Sequence, residues 1–405
     1  MIRHLLKPLW KRKGRNLLLS LEIMLAFAVV FAITAAGLRY WQLYTQPVGF
    51  EWRNAWSVQL LFPEAAGHEN GVDPAVYAQL QRAVERLPEV QKTALAAYTP
   101  YENSEWNTSY WLPGSKRKVD SNLMKVSDSF FDTMGVKVVE GRAFSSADDG
   151  AARQPVLVSR RFAREAFPGH SAIGQRLAEE EFDGKDTKPG KELEVVGVFD
   201  TFRNQGEYMA PKNFLLSRFA PPADTEQMRT LLLRVKPGTP RVFESELLRQ
   251  LKGVRNDWSY QITPMADARD SQLRTGRIPL VVLAVIAAFL LLMVAFGLFG
   301  VLWQNTTRRV PEIGLRRAVG ATPGDITRQI VLEQVLLCLL PIAAALLLLA
   351  QLPITGALGE SLSWPLFGAA TVVSTLVMVL VSAGCALYPA WRASRLSPTE
   401  ALHYE

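Results

Sequence analysis

Apolar residues along this 405-residue chain are concentrated in four long runs. The runs cover residues 17–38, 278–303, 329–351 and 366–388, and the second and fourth carry no charged side chain. About 20 helical residues are enough to cross the roughly 30 Å hydrocarbon core of a bilayer. The pattern therefore predicts four transmembrane helices rather than four buried helices of a soluble domain.

The segment between the first and second runs, residues 39–277, has the short strand-like runs and amphipathic helices of a folded α+β domain. A strand, an amphipathic helix and a second strand are predicted at residues 55–62, 74–87 and 90–97, and the same order recurs at 230–235, 241–251 and 258–262. Two such units predict a split ferredoxin-like subdomain, with a four-stranded sheet and two helices on one face. It covers about 45–119 and 225–270.

An insertion at about residues 120–224 separates the two units, and it is too long and too patterned to be a loop. Strands are predicted at 136–140, 155–159 and 193–199, with a helix at 161–167. We expect a second, smaller α+β subdomain here. Residues 179–191 (EEEFDGKDTKPGK) offer almost nothing to bury, so we expect a flexible tip.

The charges separate by segment and predict an orientation. The chain carries a net charge of +7, but residues 39–277 contain 32 basic and 31 acidic side chains. The remaining excess flanks the membrane helices, in residues 1–16, 304–328 and 389–405, whereas residues 352–365 contain no basic side chain. The positive-inside rule then predicts that both ends and the 304–328 loop are cytoplasmic, and that the large segment and the 352–365 loop are outside.

The 304–328 loop has the pattern of a short helix at the membrane surface. Pro311 suits its first position and Glu312 complements its N-terminus, while Arg316 and Arg317 suit its last turn and Gly320 can end it.

A second helix is predicted directly afterwards. Thr322 can cap it, with Pro323 in the first turn and Asp325 three residues on, and it continues into the third membrane helix. A hairpin joined without slack to a membrane helix can convey force.

Glu22 and Glu333 are acidic residues within the predicted membrane helices, each about a turn from the cytoplasmic end. An intramembrane carboxylate is a functional candidate by default, and for Glu22 the candidate partner lies across a dimer or in the 304–328 loop. Such a side chain can also simply reach the interface or pair with a basic neighbour such as Arg15 or Arg328. Both interpretations stay open.

Pro341 and both cysteines lie in the membrane helices as well. Proline removes a backbone hydrogen bond, so Pro341 predicts a kink, which serves either as a hinge or as ordinary packing distortion. Cys338 and Cys385 are expected to pack as small apolar residues.

Catalytic and nucleic-acid-binding functions find no support in the sequence. The four histidines are far apart, and the chain contains no GxSxG, HExxH or Cys/His cluster. The nearly neutral segment 39–277 also argues against nucleic acid. We expect no cofactor or metal bound by this chain.

The 308–321 segment, RRVPEIGLRRAVGA, is similar to the signature loop of the FtsX-like permeases, the membrane subunits of MacB-type ABC transporters. Residues 130–144 (FFDTMGVKVVEGRAF), followed by 156–174 and 195–198, resemble the MacB-type periplasmic domain. The tail at 389–394, with Pro398 and 401–402, resembles the family's C-terminus. The order of one helix, a large domain and three helices is also the family's.

The resemblance implies mechanotransmission, in which ATP-driven closure of two ATPase subunits passes through paired permeases to their periplasmic domains. The first subdomain would be porter-like and the insertion sabre-like. Because the chain has no GxxxxGK[ST] phosphate loop, ATP and Mg are expected on a separate ATPase. The residues that would couple to it are Arg308, Arg309, Pro311, Glu312, Ile313, Gly314, Leu315, Arg316, Arg317 and Gly320.

Three functions compete within this resemblance. The first is a permease of the bacterial inner membrane, in a homodimer or heterodimer, that works with a periplasmic adaptor and an outer-membrane exit duct to expel a compound. The second is extraction of lipoproteins from the membrane, and the third is regulation of a cell-wall hydrolase. The sabre-like insertion favours the exporter, and lipid is an expected partner in each case.

Overall fold

The computed structural model describes residues 13–62, 72–102, 104–112, 114, 117–182, 186–219 and 227–395. The predicted basic stretch before residue 13 and the tail after 395 lie outside these residues. The chain divides into two compact units: Met1–Gln42 with Arg277–Glu405, here the membrane unit, and Leu43–Gly276, here the β unit. The β unit lies between the predicted first and second membrane helices.

The helices and strands of the described residues follow in chain order. The helices are α1 (Lys13–Thr45), α2 (Pro74–Glu85), α3 (Phe130–Met134), α4 (Arg160–Ala166), α5 (Phe243–Val254), α6 (Met265–Arg308), α7 (Val310–Ala318), α8 (Pro323–Leu349), α9 (Gln351–Thr355) and α10 (Trp364–Ser394). The strands are β1 (Ala55–Leu61), β2 (Val90–Ala96), β3 (Asn107–Trp111), β4 (Lys118–Val126), β5 (Val138–Gly141), β6 (Gln154–Ser159), β7 (Arg176–Phe182), β8 (Thr187–Phe199), β9 (Phe214–Arg218), β10 (Thr230–Val235) and β11 (Ser259–Pro264).

Four helices are long and apolar enough to cross a membrane, as the sequence predicts: α1, α6, α8 and α10. They share one apolar core, which includes Phe27 and Phe31 of α1, Val294 of α6, Ile342 of α8 and Met378 of α10. Two helices exceed the predicted spans, because α1 continues to Thr45 and α6 begins at Met265. Both therefore continue from the membrane unit into the β unit as unbroken helices.

One half of the β unit is the predicted ferredoxin-like subdomain. Its strands run in the order β11-β1-β10-β2, and every neighbouring pair is antiparallel. Helices α2 and α5 bury Leu80, Val84, Leu247 and Leu251 in one core with apolar side chains of this sheet. The sequence predicted this half because its two helices bury one apolar face and its strands are short apolar runs.

The other half is a small closed barrel that the sequence reading did not predict. Strands β4, β3, β7, β8, β6 and β9 pair in that order, and β9 pairs back onto β4. The β6–β8 and β4–β9 pairs are parallel and the others are antiparallel. Closure leaves no exposed strand edge along this ring.

The predicted flexible tip at residues 179–191 is wrong for the residues that the structure describes there. They form the antiparallel β7–β8 hairpin, with Leu177 opposite Leu193 and Phe182 opposite Thr187. Their polar side chains lie on an outer surface, so the pairing rests on backbone hydrogen bonds that composition does not reveal. The barrel also uses β3 and the start of β4, so the predicted boundary near residue 120 falls inside β4.

The loop at residues 200–211 of the β unit holds the ends of both long helices. Arg203, fully buried, donates from Nη2 to the carbonyl oxygen of Leu43 at 3.0 Å and from Nη1 to that of Gln46 at 2.9 Å. Arg269 at the start of α6 donates from Nε to the Glu207 carboxylate. These contacts fix the outer ends of α1 and α6 to one loop.

The ion pair of Arg142 with Asp148 makes the stability of the β unit depend on pH. The Asp148 carboxylate accepts from the two terminal nitrogens of Arg142 at 2.8 and 2.5 Å and from the amide of Ser145 at 3.0 Å. The guanidinium of Arg142 is the main cause that holds the pKa of Asp148 below its usual value. The lowered pKa of Asp148 stabilises the folded state at pH values above the unfolded-state pKa of about 4. This stabilisation is lost as the pH falls through the folded-state pKa.

We therefore predict that Asp148→Asn lowers the free energy of unfolding of the β unit by about 1 kcal/mol at pH 7, and by progressively less below about pH 4. The measurement is chemical unfolding of the purified chain at several pH values. Asp132→Asn is the matched control, because Asp132 and its partner Lys92 are both exposed. An equal loss in both variants at pH 7 would contradict the assignment.

Candidate functional site: the loop between the second and third membrane helices

The loop after α6 folds into the short surface helix that its sequence predicts. Helix α7 begins at Val310, with Pro311 in its first turn beside Glu312. Arg316 and Arg317 occupy its last turn, where cations complement the helix dipole. Gly320 follows with a φ of +103°, a conformation that side chains rarely adopt, and ends the helix.

The connection from α7 to α8 is short and hydrogen-bonded. Thr322 caps α8 as predicted, because its Oγ1 accepts from the amide of Asp325 at 3.3 Å. The Asp325 carboxylate in turn accepts from the amide of Thr322 at 3.1 Å. This reciprocal capping satisfies amides at the start of the helix that carries the third membrane span.

The inner face of α7 packs onto the membrane unit. Val310, Ile313 and Gly314 are buried. Ile313 forms one apolar cluster with Ile326 of α8 and Ala393 of α10. The helix is thus held against two of the four long helices.

A chain of polar contacts fastens α7 to the beginning of α8. Arg309 Nη1 lies 2.8 Å from Glu333 Oε2, and Gln329 Nε2 donates to Glu333 Oε1 at 2.8 Å. Arg316 donates to Gln329 Oε1 and to Glu312 Oε1, both at 2.6 Å. These side chains line a cavity of about 80 Å³ between α6, α7 and α8.

This network places Glu333 in contact with the loop, but its partner is Arg309 and not the suggested Arg328. Arg317 is also engaged within the chain, because its Nη1 donates to the carbonyl oxygen of Ser394 at the end of α10, at 2.8 Å. Of the polar residues that we expected to contact an ATPase, Arg316 and Arg317 therefore also hold α7 in place.

The outer face of α7 carries an exposed apolar stripe that consists of Pro311, Leu315 and Val319. Leu315 and Val319 are 60% and 82% exposed, and the three residues are four positions apart, on one face of the helix. Val319 was absent from the predicted set. The spacing of apolar residues at i, i+4 and i+8 is the sequence signal that places Val319 on the same face as Pro311 and Leu315.

The other predicted residues of the membrane unit are not brought to this loop network. Glu22 is half-buried on α1, and its carboxylate lies against Gly297 of α6, where a Cβ would stand 3.2 Å from both carboxylate oxygens. Pro341 is buried inside α8, which continues through it to Leu349. A role for Glu22 and a hinge at Pro341 stay predictions.

A buried polar contact between α8 and α10 escaped the sequence reading. Cys338 is buried as expected, but its Sγ lies 3.1 Å from Ser382 Oγ and 3.6 Å from Gln334 Nε2. Both cysteines are free thiols. Within the described ranges, no group of His, Cys, Asp and Glu side chains is arranged to hold a metal ion.

A membrane unit of four long helices, with a β unit inserted after the first and a helical hairpin before the third, defines a class of membrane permease. Residues 17–246 match the family of the MacB-like periplasmic core domain, and residues 284–398 match the C-terminal part of FtsX-like permeases. The chain belongs to this FtsX/MacB-type family of ABC transporter permeases, and its β unit is the MacB-like periplasmic domain.

Relatives of two lengths are similar to this chain. The macrolide export ATP-binding/permease protein MacB of Chromobacterium violaceum is 28% identical over 298 residues, which cover 71% of this chain and 44% of that protein. The uncharacterized ABC transporter permease YknZ of Bacillus subtilis is 22% identical over 100% of this chain and 98% of its own length. The crystallised periplasmic region of MacB from Actinobacillus actinomycetemcomitans aligns with 54% of this chain and 92% of its own, at 12% identity and a TM-score of 0.38.

The cap at Thr322 generates a prediction about local stability. Thr322→Ala removes the side-chain acceptor at the start of α8, which stabilises the first turn by about 1 kcal/mol, so the amides of residues 324–326 should exchange hydrogen about fivefold faster. Hydrogen exchange with mass spectrometry on the detergent-purified chain measures this. Thr327→Ala is the control, since the Thr327 hydroxyl only donates to the Pro323 carbonyl oxygen at 3.0 Å. Equal exchange in the two variants would contradict the cap.

Proposed function

We propose that the chain is the permease subunit of an ABC transporter in which a separate ATPase docks on α7. The observation that carries the proposal is the exposed stripe of Pro311, Leu315 and Val319 on a helix whose opposite face is locked to the membrane unit. The exposed face of this helix is apolar, and its buried face is fixed to the membrane unit. Such a helix suits a contact through which a partner transmits force. ATP and Mg would be bound by the ATPase, in two copies, and not by this chain.

Helix α6 offers a direct path along which a displacement of α7 can be transmitted. Helix α6 runs from Met265 to Arg308, and the single residue Arg309 separates it from α7. At its outer end, Arg269 is held by Glu207, and the same loop fastens the end of α1 through Arg203. A displacement of the 304–328 loop would thus move the periplasmic domain by mechanotransmission, without a substrate tunnel through the helices.

The transported compound would be expelled from the periplasm. Relatives named as macrolide exporters support efflux, so macrolides are the first compounds to test. We propose a pair of permeases in the bacterial inner membrane, with both ends and the 304–328 loop in the cytoplasm, a periplasmic adaptor and an outer-membrane exit duct. The basic residues of the inner loop support this orientation. A relative similar over its full length and described only as a permease supports a separate ATPase.

The partnership is tested by affinity purification of the tagged full-length chain from membranes of the native cell. We expect an ATPase together with a periplasmic adaptor, because an exporter of this kind needs both. Recovery of the ATPase with a cell-wall hydrolase, or with a lipoprotein carrier, would contradict efflux and assign the coupling to one of the other two functions.

The docking surface generates its own prediction. Leu315→Glu places a charge at the centre of the apolar stripe, so capture of the ATPase should fall at least about tenfold. Leu358→Glu is the matched control, because Leu358 is 50% exposed in the loop between the third and fourth membrane helices, on the predicted opposite side of the membrane. Quantitative mass spectrometry of the captured ATPase gives the ratio. Undiminished capture by Leu315→Glu would refute docking on α7.

A further inference from the structure

A group of stacked aromatic rings joins α6 to α10 where the apolar runs of both helices end. Phe299 and Trp303 of α6 and Tyr388 of α10 have ring planes within 28° of parallel. The rings of Trp303 and Tyr388 lie on different helices, with centroids 6.2 Å apart and planes 10° apart. Trp391 extends the group, since its ring centroid lies 6.4 Å from that of Tyr388. These four side chains are called the aromatic cluster below.

Two arginines at the end of α10 stack on the aromatic cluster. The guanidinium carbon of Arg392 lies 4.6 Å from the centre of the Trp303 ring, and that of Arg395 lies 4.4 Å from the centre of the Trp391 ring. A guanidinium that stacks on a ring keeps the N–H groups at its edge free to donate. The rings therefore orient two cations without using up their hydrogen bonds.

The charge of these two arginines is not neutralised within the part of the chain that the structure describes. Both side chains are exposed, and neither guanidinium has an ion pair or a hydrogen bond to a described residue. The carboxylates of the adjoining hairpin are taken by other arginines. Glu312 accepts from Arg316 at 2.6 Å. Glu333 accepts from Arg309 at 2.8 Å, so two positive charges remain beside the aromatic cluster.

The depth of the aromatic cluster follows from the membrane unit alone. Helices α6 and α10 are both candidate membrane spans, and their apolar runs end at Trp303 and Tyr388. The two arginines come directly after these residues, on the polar side. The boundary between hydrocarbon and headgroups therefore lies at the aromatic cluster, where tryptophan and tyrosine are typical.

The surface on the apolar side of the cluster is open and suits an acyl chain. Phe296 of α6 and Leu387 of α10 are 75% and 54% exposed. Gly300 and Gly384 each lie about one turn before an aromatic residue of the cluster, and a Cβ on either glycine would meet no atom within 4 Å. The helix backbones are thus uncovered beside exposed apolar side chains.

A second permease suits this face less well than a lipid does. Pairs of identical chains meet by a two-fold axis, which brings the same surface of both chains together. A contact of this kind close to the cluster would bring the unneutralised arginines of both chains together and would be repulsive. An anionic ligand with an apolar tail matches both the charge and the apolar surface.

We propose that the aromatic cluster, with Arg392 and Arg395, is a binding site for an anionic phospholipid of the leaflet on the side of the 304–328 loop. The two guanidiniums bind oxygens of the lipid phosphate through charge-assisted hydrogen bonds. An acyl chain lies along α6 and α10 past Gly300 and Gly384. A bound lipid would fasten the ends of these two helices to each other, and the site does not depend on the proposed ATPase partnership.

The test uses the full-length chain purified in a non-ionic detergent, with native mass spectrometry to count the bound lipids. The probes are phosphatidylglycerol and phosphatidylcholine of equal chain length, added separately. Other basic residues near the membrane helices also attract anionic lipid, so a charge-matched control is needed. Arg328→Gln is that control, because Arg328 is exposed in the second turn of α8 and stacks on no aromatic ring of the described residues.

We expect the double variant Arg392→Gln/Arg395→Gln to bind phosphatidylglycerol at least about tenfold more weakly, whereas Arg328→Gln stays within about twofold of the wild-type chain. Trp303→Leu keeps both charges but removes the ring that orients Arg392, so the affinity should fall about threefold. Phosphatidylcholine has no net charge and should bind all four chains alike. The arginine variants should melt like the wild-type chain, because these side chains are exposed.

Three results would overturn the proposal. Retention of phosphatidylglycerol affinity within about twofold by the double variant would show that the arginines do not bind the lipid, and an equal loss in Arg328→Gln would leave only general charge attraction. Loss of a chain dimer in the double variant with unchanged lipid affinity would assign the face to a second permease. Displacement of phosphatidylglycerol by millimolar inorganic phosphate would assign the arginines to a soluble phosphate.

Discussion

The end of α1 that belongs to the β unit is held by a buried guanidinium. Arg203 has no exposed surface, and its donors reach the carbonyl oxygens of Leu43, Gln46 and Met209. Carbonyls at a helix C-terminus lack partners within the helix, and an unpaired charge in a protein interior is strongly unfavourable. The carbonyl oxygens gain hydrogen-bond donors, and the buried guanidinium gains acceptors. The end of α1 is therefore fixed by a contact that is costly to break.

The same kind of polar contact occurs after the other end of α6. There, hydrogen bonds among Arg309, Gln329 and Glu333 hold α7 against α8. Arg317 donates a hydrogen bond to the last carbonyl oxygen of α10. Helices transmit displacement only where their ends cannot slip, because an α-helix is stiff along its axis while loops absorb motion. Polar side chains at both ends of the long helices thus support the proposed mechanical coupling. Pro279 lies inside α6 close to the boundary between the two units, where it weakens the helix at one point.

The sequence predicted the features that arise from local pattern. Uniform apolar runs predicted the four membrane helices, and the repeated order of strand, amphipathic helix and strand predicted the ferredoxin-like half. The barrel escaped because β7 is polar on most of its length and β9 has only five residues, so neither shows a clear period. Strand closure between β4 and β9 is a long-range pairing that no local window contains.

The candidate site was predictable to a similar extent. Helix α7 and the Thr322 cap follow from residue preferences within a few positions. The Arg309–Glu333 pair joins residues that are brought together only by the packing of α7 on α8, and a single arginine in a loop, such as Arg203, has no sequence pattern at all. These contacts require the tertiary structure.

The most direct test of mechanical coupling is a distance between the two units during ATP hydrolysis. Spin labels at Val242→Cys and Leu358→Cys, both exposed positions, are placed in a chain in which Cys338 and Cys385 are replaced by serine. Double electron–electron resonance is then recorded on the chain with its ATPase in detergent, without nucleotide and with ATP and vanadate. The account predicts a shift in the distance between the labels that disappears when Leu315→Glu is added. An unchanged distance in the ATP-trapped complex would contradict transmission from the 304–328 loop to the periplasmic domain.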